Sequence, residues 1–294
     1  MDEQLEAILA SSFYFMAPKT AVILLGGSLG GIPGHIACLQ ALEDLNVTPD
    51  LVIGVSAGSV IGSLFALGLS PKYLLTHVLE KLTPDQYLDP VPWYKVLYQL
   101  ICAGKGFQGL AYGNQLEKSM EGWLGEKNDF SQLKIPLYII ASNLTDNTLT
   151  IFHSGKVSDK VRASVAIPGV FYPKEIGGQL YVDGVIVSDH IVPSLLQLHP
   201  TLETLYINNF TSDAEGVTID LFKEKWGFLH YFQQLAMLCV SNVETFKDSR
   251  VQTKMAIHPA NKAIGIFKPP TKETLMKAYG ECYIRILERF KTSN

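Results

Sequence analysis

Hydrophobic positions near the start of the chain form two uninterrupted runs, Ala21–Leu25 and Leu51–Val55. Runs of this length, ended by glycine or small polar residues, are typical of parallel strands that are buried on both faces. Apolar residues at helical spacing follow each run and predict helices at about Pro33–Asn46 and Val60–Leu69. Strand, helix, strand and helix in this order predict an α/β fold, with a mostly parallel sheet and helices on both faces.

The pattern is less regular from Pro84 to Gly113, where prolines, Trp93 and a glycine cluster predict an insertion or cap. A helix is expected at Asn114–Leu124, and Ile219–Lys291 is expected to be mainly helical. Further strands are predicted at Ile135–Ala141, Leu149–Phe152, Leu180–Val182 and Leu205–Ile207. Because no repeat or low-complexity linker interrupts the chain, we expect one domain over residues 1–294, with a core at about 20–210 and a mainly helical C-terminal segment at about 219–291.

Composition narrows the class of protein. Of the 294 residues, 47% are apolar and 18% are charged, and the net charge is −4, which excludes a disordered chain and a generic nucleic-acid binder. The N-terminus is acidic where a signal peptide needs positive charge, and no apolar run reaches the ~18 residues of a membrane span. The cysteines lie far apart, without a CxxC pair, which argues against a metal site or a disulfide framework. We therefore expect a cytoplasmic protein.

Charge is distributed unevenly along the chain. From Leu221 to the end there are 12 Lys+Arg and 6 Asp+Glu, a balance of +6, whereas the first 220 residues have a balance of −10. A basic segment favours an anionic partner such as a lipid headgroup, and the apolar residues Trp226, Phe228 and Phe232 could assist such contact. The alternative is a solvated helical face whose cations match an acidic neighbouring surface.

One short motif has the pattern and the context of a nucleophile. Gly54-Val-Ser56-Ala-Gly58 fits G-x-S-x-G and lies where a buried strand is predicted to end and an apolar helix to begin. A nucleophile elbow needs this context, because its tight turn holds the serine and requires small residues two positions before and after it. The alternative is a serine N-cap in a strand–helix turn.

A serine nucleophile needs a base, and the residues leave two possibilities open. In the order serine, acid, histidine, any of His190, His199, His230 and His258 could complete a triad. Asp183 is better placed, since it follows the run Leu180–Val182 and would lie at a strand's carboxyl end, where α/β sheets bind ligands. Its ordinary pKa near 4 would have to be raised by burial. Without Ser56, Asp183 would be read as the turn residue of an Asp-Gly pair.

Glycines after the first strand suggest an anion-binding turn. Gly26, Gly27, Ser28, Gly30 and Gly31 form a stretch whose backbone N–H groups could approach a ligand closely. A degenerate dinucleotide fingerprint is a weak alternative, because no acidic residue ends the second strand. An oxyanion hole facing Ser56 accounts for both glycine-rich segments.

Several segments, taken together and in order, resemble the patatin-like phospholipase family over about Thr20–Asn208. GGSLGGIPGHIACLQALEDL resembles the family's glycine-rich turn and following helix, and GVSAGSV resembles its elbow. YGNQLEKSMEGWLG, IPLYIIASNLTDNTLTIFHSG and VRASVAIPGVFYP resemble its middle section, and VDGVIVSDHIV resembles its aspartate motif.

The resemblance implies a three-layer α/β/α fold and acyl-ester hydrolysis by a Ser–Asp dyad without a catalytic histidine. Ser56 would be the nucleophile, Asp183 the base and the Gly26–Gly31 amides the oxyanion hole. A phospholipid or another lipid ester would be the substrate, with peripheral membrane contact, and no metal or cofactor would be needed. The chain departs from the family pattern at Ser28, where a third glycine is usual, at Gly30, where a basic residue is usual, and at Val185, where a second glycine is usual.

Two alternatives to lipid hydrolysis remain. A thioesterase or acyltransferase could use the same serine, because acyl transfer and hydrolysis share the acyl-enzyme and differ in the acceptor that attacks it. A lipid-binding or partner-binding relative could also have lost catalysis through its altered glycine turn.

Overall fold

A computed structural model describes residues 17–80, 83–101, 108–211, 250–259 and 270–292. The N-terminal residues, His230, Trp226, Phe228, Phe232 and much of the basic segment therefore lie outside the described residues. The bounds of the described strands are β1 Thr20–Leu25, β2 Leu51–Val55, β3 Leu137–Asn143, β4 Thr148–Phe152, β5 Lys174–Ile176, β6 Gln179–Asp183, β7 Thr204–Thr211 and β8 Gln252–Pro259.

Helices connect and cover these strands. Their bounds are α1 Ser28–Asp44, α2 Ala57–Ala66, α3 Pro71–Tyr73 (which continues as a π-helix at Leu74–Leu79), α4 Trp93–Ile101, α5 Asn114–Leu124, α6 Val157–Ser164, α7 Ile191–Leu198 and α8 Lys272–Thr292. Short 3₁₀ turns lie at Pro84–Gln86, Gly125–Lys127, Phe130–Gln132 and Gly184–His190. Among these described helices, none is long and apolar enough to cross a membrane.

The strands form one mixed sheet in the order β5-β6-β3-β2-β1-β7-β8, with β4 paired to β3. β1, β2, β3, β7 and β8 are mutually parallel, and β4, β5 and β6 are antiparallel to their partners. Side chains of β1 alternate between two cores: Val22 and Leu24 pack with α1 and α2, and Ile23 packs with α7 on the other face. The α/β fold, with a central sheet flanked by helices, is confirmed.

Two regions contain elements that the sequence patterns did not predict. The C-terminal segment, expected to be mainly helical, contains the strand β8, which pairs in parallel with β7 and places Ala256 in the core. Its sequence, QTKMAIHP, lacks a long apolar run, and β8 forms a strand by pairing with β7 at the end of the described sheet. The Pro84–Gly113 region, predicted as an insertion or cap, contains the regular helix α4, and most of the described apolar side chains of this helix are exposed.

Candidate active site

Ser56 occupies a strained turn between β2 and α2. Its φ of 54° and ψ of −125° are unusual for a residue with a side chain, and Ser59 stabilises the turn by donating its N–H and its hydroxyl to the Ser56 carbonyl, at 2.8 and 2.6 Å. A Cβ on Gly54 would lie 2.5 Å from the Ser59 Cα, and one on Gly58 would lie 1.9 Å from the Leu24 carbonyl oxygen. The requirement for small residues around Ser56 is thus confirmed.

Asp183 reaches Ser56 because two strands share one edge of β3. β2 runs parallel to β3 and ends with Val55 opposite Ile140, whereas β6 runs antiparallel and ends with Asp183 opposite Ala141. β4 pairs with the opposite edge of β3. β2 and β6 therefore pair with the same edge, and their carboxyl ends face each other. Asp183 lies at the carboxyl edge of the parallel strands, but the strand that carries it, β6, is antiparallel to them.

The Ser56 hydroxyl donates directly to the Asp183 carboxylate, with 2.6 Å between Oγ and Oδ2. The other carboxylate oxygen accepts the Val185 N–H at 3.0 Å. Only 1% of Asp183 is exposed, and this burial raises its pKa to about 7, against the opposing effect of the two hydrogen bonds. A buried aspartate with this pKa can accept a proton near neutral pH.

Sequence analysis assigned no role to Ser164, which stabilises the elbow from α6. Its Oγ accepts the Ser56 N–H at 2.9 Å and donates to the Ile140 carbonyl at 2.6 Å. The hydroxyl thereby connects the backbone of the elbow to β3. Ser164 lies within the VRASVAIPGVFYP segment, so the resemblance marked the region without identifying this contact.

The glycine stretch is a tight turn at a helix N-terminus and not an extended loop. Gly26 and Gly27 have φ of 66° and 85°, and α1 already begins at Ser28, five residues earlier than the predicted Pro33. Gly30 and Gly31 therefore lie in the first helical turn, where Gly31 donates to the Gly27 carbonyl at 2.7 Å. The N–H groups before Gly31 have no carbonyl one turn earlier to bind, and this N-terminus is suited to an anion.

Two residues that depart from the family pattern, Ser28 and Val185, have different backbone conformations. Ser28 has a φ of 50°, a left-handed conformation that glycine adopts without cost. Val185 does not share this conformation, and its backbone N–H makes the contact with Asp183. Gly184 is a position that must stay small, because a Cβ there would lie 2.4 Å from the Ile140 carbonyl oxygen.

Ser56 opens into an apolar pocket on the α1 and α2 side of the sheet. The empty space of this pocket, including its open mouth, is about 580 Å³. Among the described residues that line it, Ser28, Ser56, Tyr87 and Trp123 carry polar side-chain groups. The remaining walls are Leu29, Ile32, Ala57, Val60, Val78, Leu116, Val165, Ile167 and Phe171. Such walls suit a hydrocarbon chain whose reacting end lies at Ser56.

The histidines considered for a triad are placed elsewhere or lie outside the described residues. His199 is 2.8 Å from the Tyr138 hydroxyl, His258 is 2.9 Å from Asn208 Oδ1, and His190 is exposed beside Asp189. The direct Ser56–Asp183 hydrogen bond leaves no imidazole between the hydroxyl and the carboxylate. Among the described residues, no group of three or more His, Cys, Asp or Glu side chains could hold a metal ion.

A family model described as patatin-like phospholipase matches residues 24–196, which is more than half of the chain and includes both Ser56 and Asp183.

Individual relatives are distant. The chain is 27% identical to an uncharacterized NTE family protein of Mycobacterium tuberculosis, over 58% of this chain and 44% of that protein. It is also 27% identical to mouse patatin-like phospholipase domain-containing protein 6, over 58% of this chain and 12% of that protein. Among solved structures, VipD from Legionella pneumophila matches with a TM-score of 0.43 and 16% identity, covering 95% of this chain and 67% of that chain.

Proposed function

Because the chain belongs to the patatin-like phospholipase family, we propose that it is a lipid acyl hydrolase with Ser56 as nucleophile and Asp183 as general base. The observation that carries this proposal is the 2.6 Å hydrogen bond between Ser56 Oγ and Asp183 Oδ2 beside an apolar pocket. The substrate is a phospholipid or another lipid ester, since only an ester with a long apolar chain would use this pocket fully.

The reaction follows from the direction of the hydrogen bond. Ser56 Oγ attacks the ester carbonyl as its proton passes to Asp183 Oδ2. The negative oxygen of the tetrahedral intermediate lies at the N-terminus of α1, where unpaired backbone N–H groups and the helix dipole stabilise it. Asp183 then protonates the leaving alcohol, and an acyl group stays on Ser56. A water molecule, deprotonated by Asp183, attacks this acyl-enzyme, and Asp183 returns the proton to Ser56 Oγ as the fatty acid leaves.

Removing the nucleophile tests the proposal. Ser56→Ala should reduce phospholipid or lysophospholipid hydrolysis by several orders of magnitude, and Asp183→Asn should approach the same loss. His199→Gln should change activity by less than about tenfold, because this histidine would not be the general base. A folded histidine variant as inactive as Ser56→Ala would replace the dyad with a triad.

A second assay separates hydrolysis from the alternatives. A fluorophosphonate probe labels an activated serine, so wild-type protein should react and Ser56→Ala should not. Absence of labelling on folded wild-type protein would favour a non-catalytic lipid-binding relative. Comparing phospholipid, lysophospholipid, triacylglycerol and acyl-CoA as substrates, with and without an alcohol acceptor, distinguishes a hydrolase from a thioesterase or an acyltransferase.

We also infer that the protein contacts lipid surfaces peripherally, and α4 supports this contact. Five of its apolar residues share one helix face, because Trp93, Leu97 and Ile101 are spaced four positions apart and Tyr94 and Tyr98 lie beside them. That face points to solvent, with Trp93 76%, Tyr94 56%, Leu97 46%, Tyr98 64% and Ile101 69% exposed. Tryptophan and tyrosine are the residues that favour the membrane–water interface.

Two polar side chains of α4 form hydrogen bonds with neighbouring parts of the protein. Lys95 Nζ donates to the Tyr112 hydroxyl at 3.3 Å, and the Gln99 amide donates to the Tyr172 hydroxyl. Tyr172 follows Phe171, a residue of the pocket wall. The helix is thus attached by polar contacts beside the pocket and presents its apolar face outward.

Vesicle co-sedimentation tests both this face and the basic C-terminal segment. Trp93→Ser with Tyr98→Ser should weaken binding about tenfold, or about 1.4 kcal/mol, while Ile284→Ser on α8, equally exposed at 60%, should not. If the basic segment contributes, binding should be stronger to anionic than to neutral vesicles and should weaken as salt rises. Equal binding by all variants would eliminate the role of α4.

A further inference from the structure

A buried chain of polar side chains lies beneath the glycine turn. His35, Asn208 and His258 are at most 1% exposed and come from α1, β7 and β8. His35 Nε2 is 2.9 Å from the Gly26 carbonyl oxygen, and His35 Nδ1 is 3.0 Å from Asn208 Nδ2. His258 Nε2 is 2.9 Å from Asn208 Oδ1. The mechanism described above uses none of these side chains.

The hydrogen bonds allow only one arrangement of protons. Asn208 Nδ2 donates to the Gly34 carbonyl at 3.2 Å, so this atom is the amide nitrogen and it also donates to His35 Nδ1. The ring proton of neutral His35 is therefore on Nε2, where it is donated to the Gly26 carbonyl. Burial lowers the pKa of His35 to about 4 and that of His258 to about 3, so both rings are neutral near pH 7.

The carbonyl that His35 binds belongs to the first peptide of the turn. In a planar trans peptide, the C=O of Gly26 and the N–H of Gly27 point in opposite directions. Holding the carbonyl on His35 thus fixes the Gly27 N–H on the opposite side of the peptide plane. The Gly26 N–H is bound as well, donating to the Val55 carbonyl at 3.1 Å, immediately before Ser56.

This turn needs such an anchor. Gly26 and Gly27 have no side chains to restrict them, and Ser28 occupies a left-handed conformation that is costly for serine. A turn made of these residues can rotate a peptide plane at little cost unless a hydrogen bond prevents it. Catalytic stabilisation of an oxyanion depends on donors that are already oriented before the reaction.

We propose that His35 is a positioning residue, which orients the oxyanion-binding turn through the Gly26 carbonyl, with Asn208 and His258 fixing its tautomer. The inference rests on the proposed hydrolase function. It assigns a catalytic consequence to a histidine that does not contact the reacting atoms.

Variants at position 35 separate hydrogen bonding from packing. His35→Phe and His35→Met keep bulk and remove the donor, and both should lower kcat for ester hydrolysis about a hundredfold with KM changed less than threefold. His35→Gln keeps an N–H donor and should recover at least a tenth of wild-type kcat. His199→Phe is the matched control, because it removes a buried histidine hydrogen bond to Tyr138 and should leave kcat within threefold of wild type.

The outcomes are distinguishable from failure of the proposed function. If wild-type protein and Ser56→Ala hydrolyse no ester, the hydrolase proposal fails. If Ser56→Ala is inactive but folded His35→Phe or His35→Met keeps wild-type kcat, the positioning role is refuted. If neither variant folds, NMR of wild-type protein with ¹⁵N-labelled histidine decides: an Nε2–H tautomer of His35 supports the proposal, and an Nδ1–H tautomer overturns it.

Discussion

Replacing Asp183 with asparagine should abolish the proposed hydrolase activity and stabilise the fold at the same time. The carboxyl group has a pKa of about 7 in the folded protein, against its ordinary value of 3.8. Below about pH 4 the group is neutral in both the folded and the unfolded chain. Between pH 4 and 7 the unfolded chain loses this proton while the folded chain keeps it, so the folded state loses about 1.4 kcal/mol per pH unit.

The magnitude follows from the width of that interval. About three pH units correspond to up to about 4 kcal/mol of destabilisation above pH 7, where both states are ionised. Asparagine does not titrate, and its amide retains groups that can bond to Ser56 and Val185. Asp183→Asn should therefore unfold up to about 8 °C higher than wild type at pH 8, with a much smaller difference at pH 4.5.

Thermal unfolding of both proteins between pH 4.5 and pH 8.5 measures this effect without any substrate. Asp189→Asn is the control, because the Asp189 side chain is 53% exposed and its replacement should give a small difference that varies little with pH. A difference between wild type and Asp183→Asn that stays constant across the pH range would refute the reasoning, since it would mean that burial does not penalise the charged carboxylate.

Three further predictions concern the site. The kcat/KM of wild-type protein should fall tenfold per pH unit below an apparent pKa near 7, as Asp183 becomes protonated, and a pH-rate profile that is flat down to pH 5 would exclude it as the base. With p-nitrophenyl esters, kcat/KM should rise by up to about fourfold per added methylene until the pocket is full. Leu116→Trp should shorten the acyl chain at which kcat/KM stops rising, and an unchanged acyl length would mean that the acyl chain binds elsewhere. Gly58→Ala should lower thermal stability and abolish fluorophosphonate labelling, because its Cβ would lie 1.9 Å from a carbonyl oxygen, and normal labelling would contradict the observed elbow geometry.

The sequence alone determined those features that depend on neighbouring residues. The runs at Ala21–Leu25 and Leu51–Val55 predicted strands within one residue of the observed bounds, and the helix Asn114–Leu124 was predicted at its observed bounds. The small residues around Ser56 were also identifiable, because the turn that needs them is formed by adjacent residues. Local periodicity and local steric limits are encoded within a few positions of the chain.

Tertiary structure decided which distant residues meet. Asp183 reaches Ser56 only because β6 runs antiparallel on the edge of β3 where β2 ends, and the short apolar run Leu180–Val182 indicated neither this direction nor the register of the pairing. Ser164 and His35 gave no signal of their own, since their roles lie in hydrogen bonds to partners such as Ser56 and Asn208, which are 108 and 173 positions away. Burial can be read from a sequence, whereas the choice of partner is made by the packing of the whole chain.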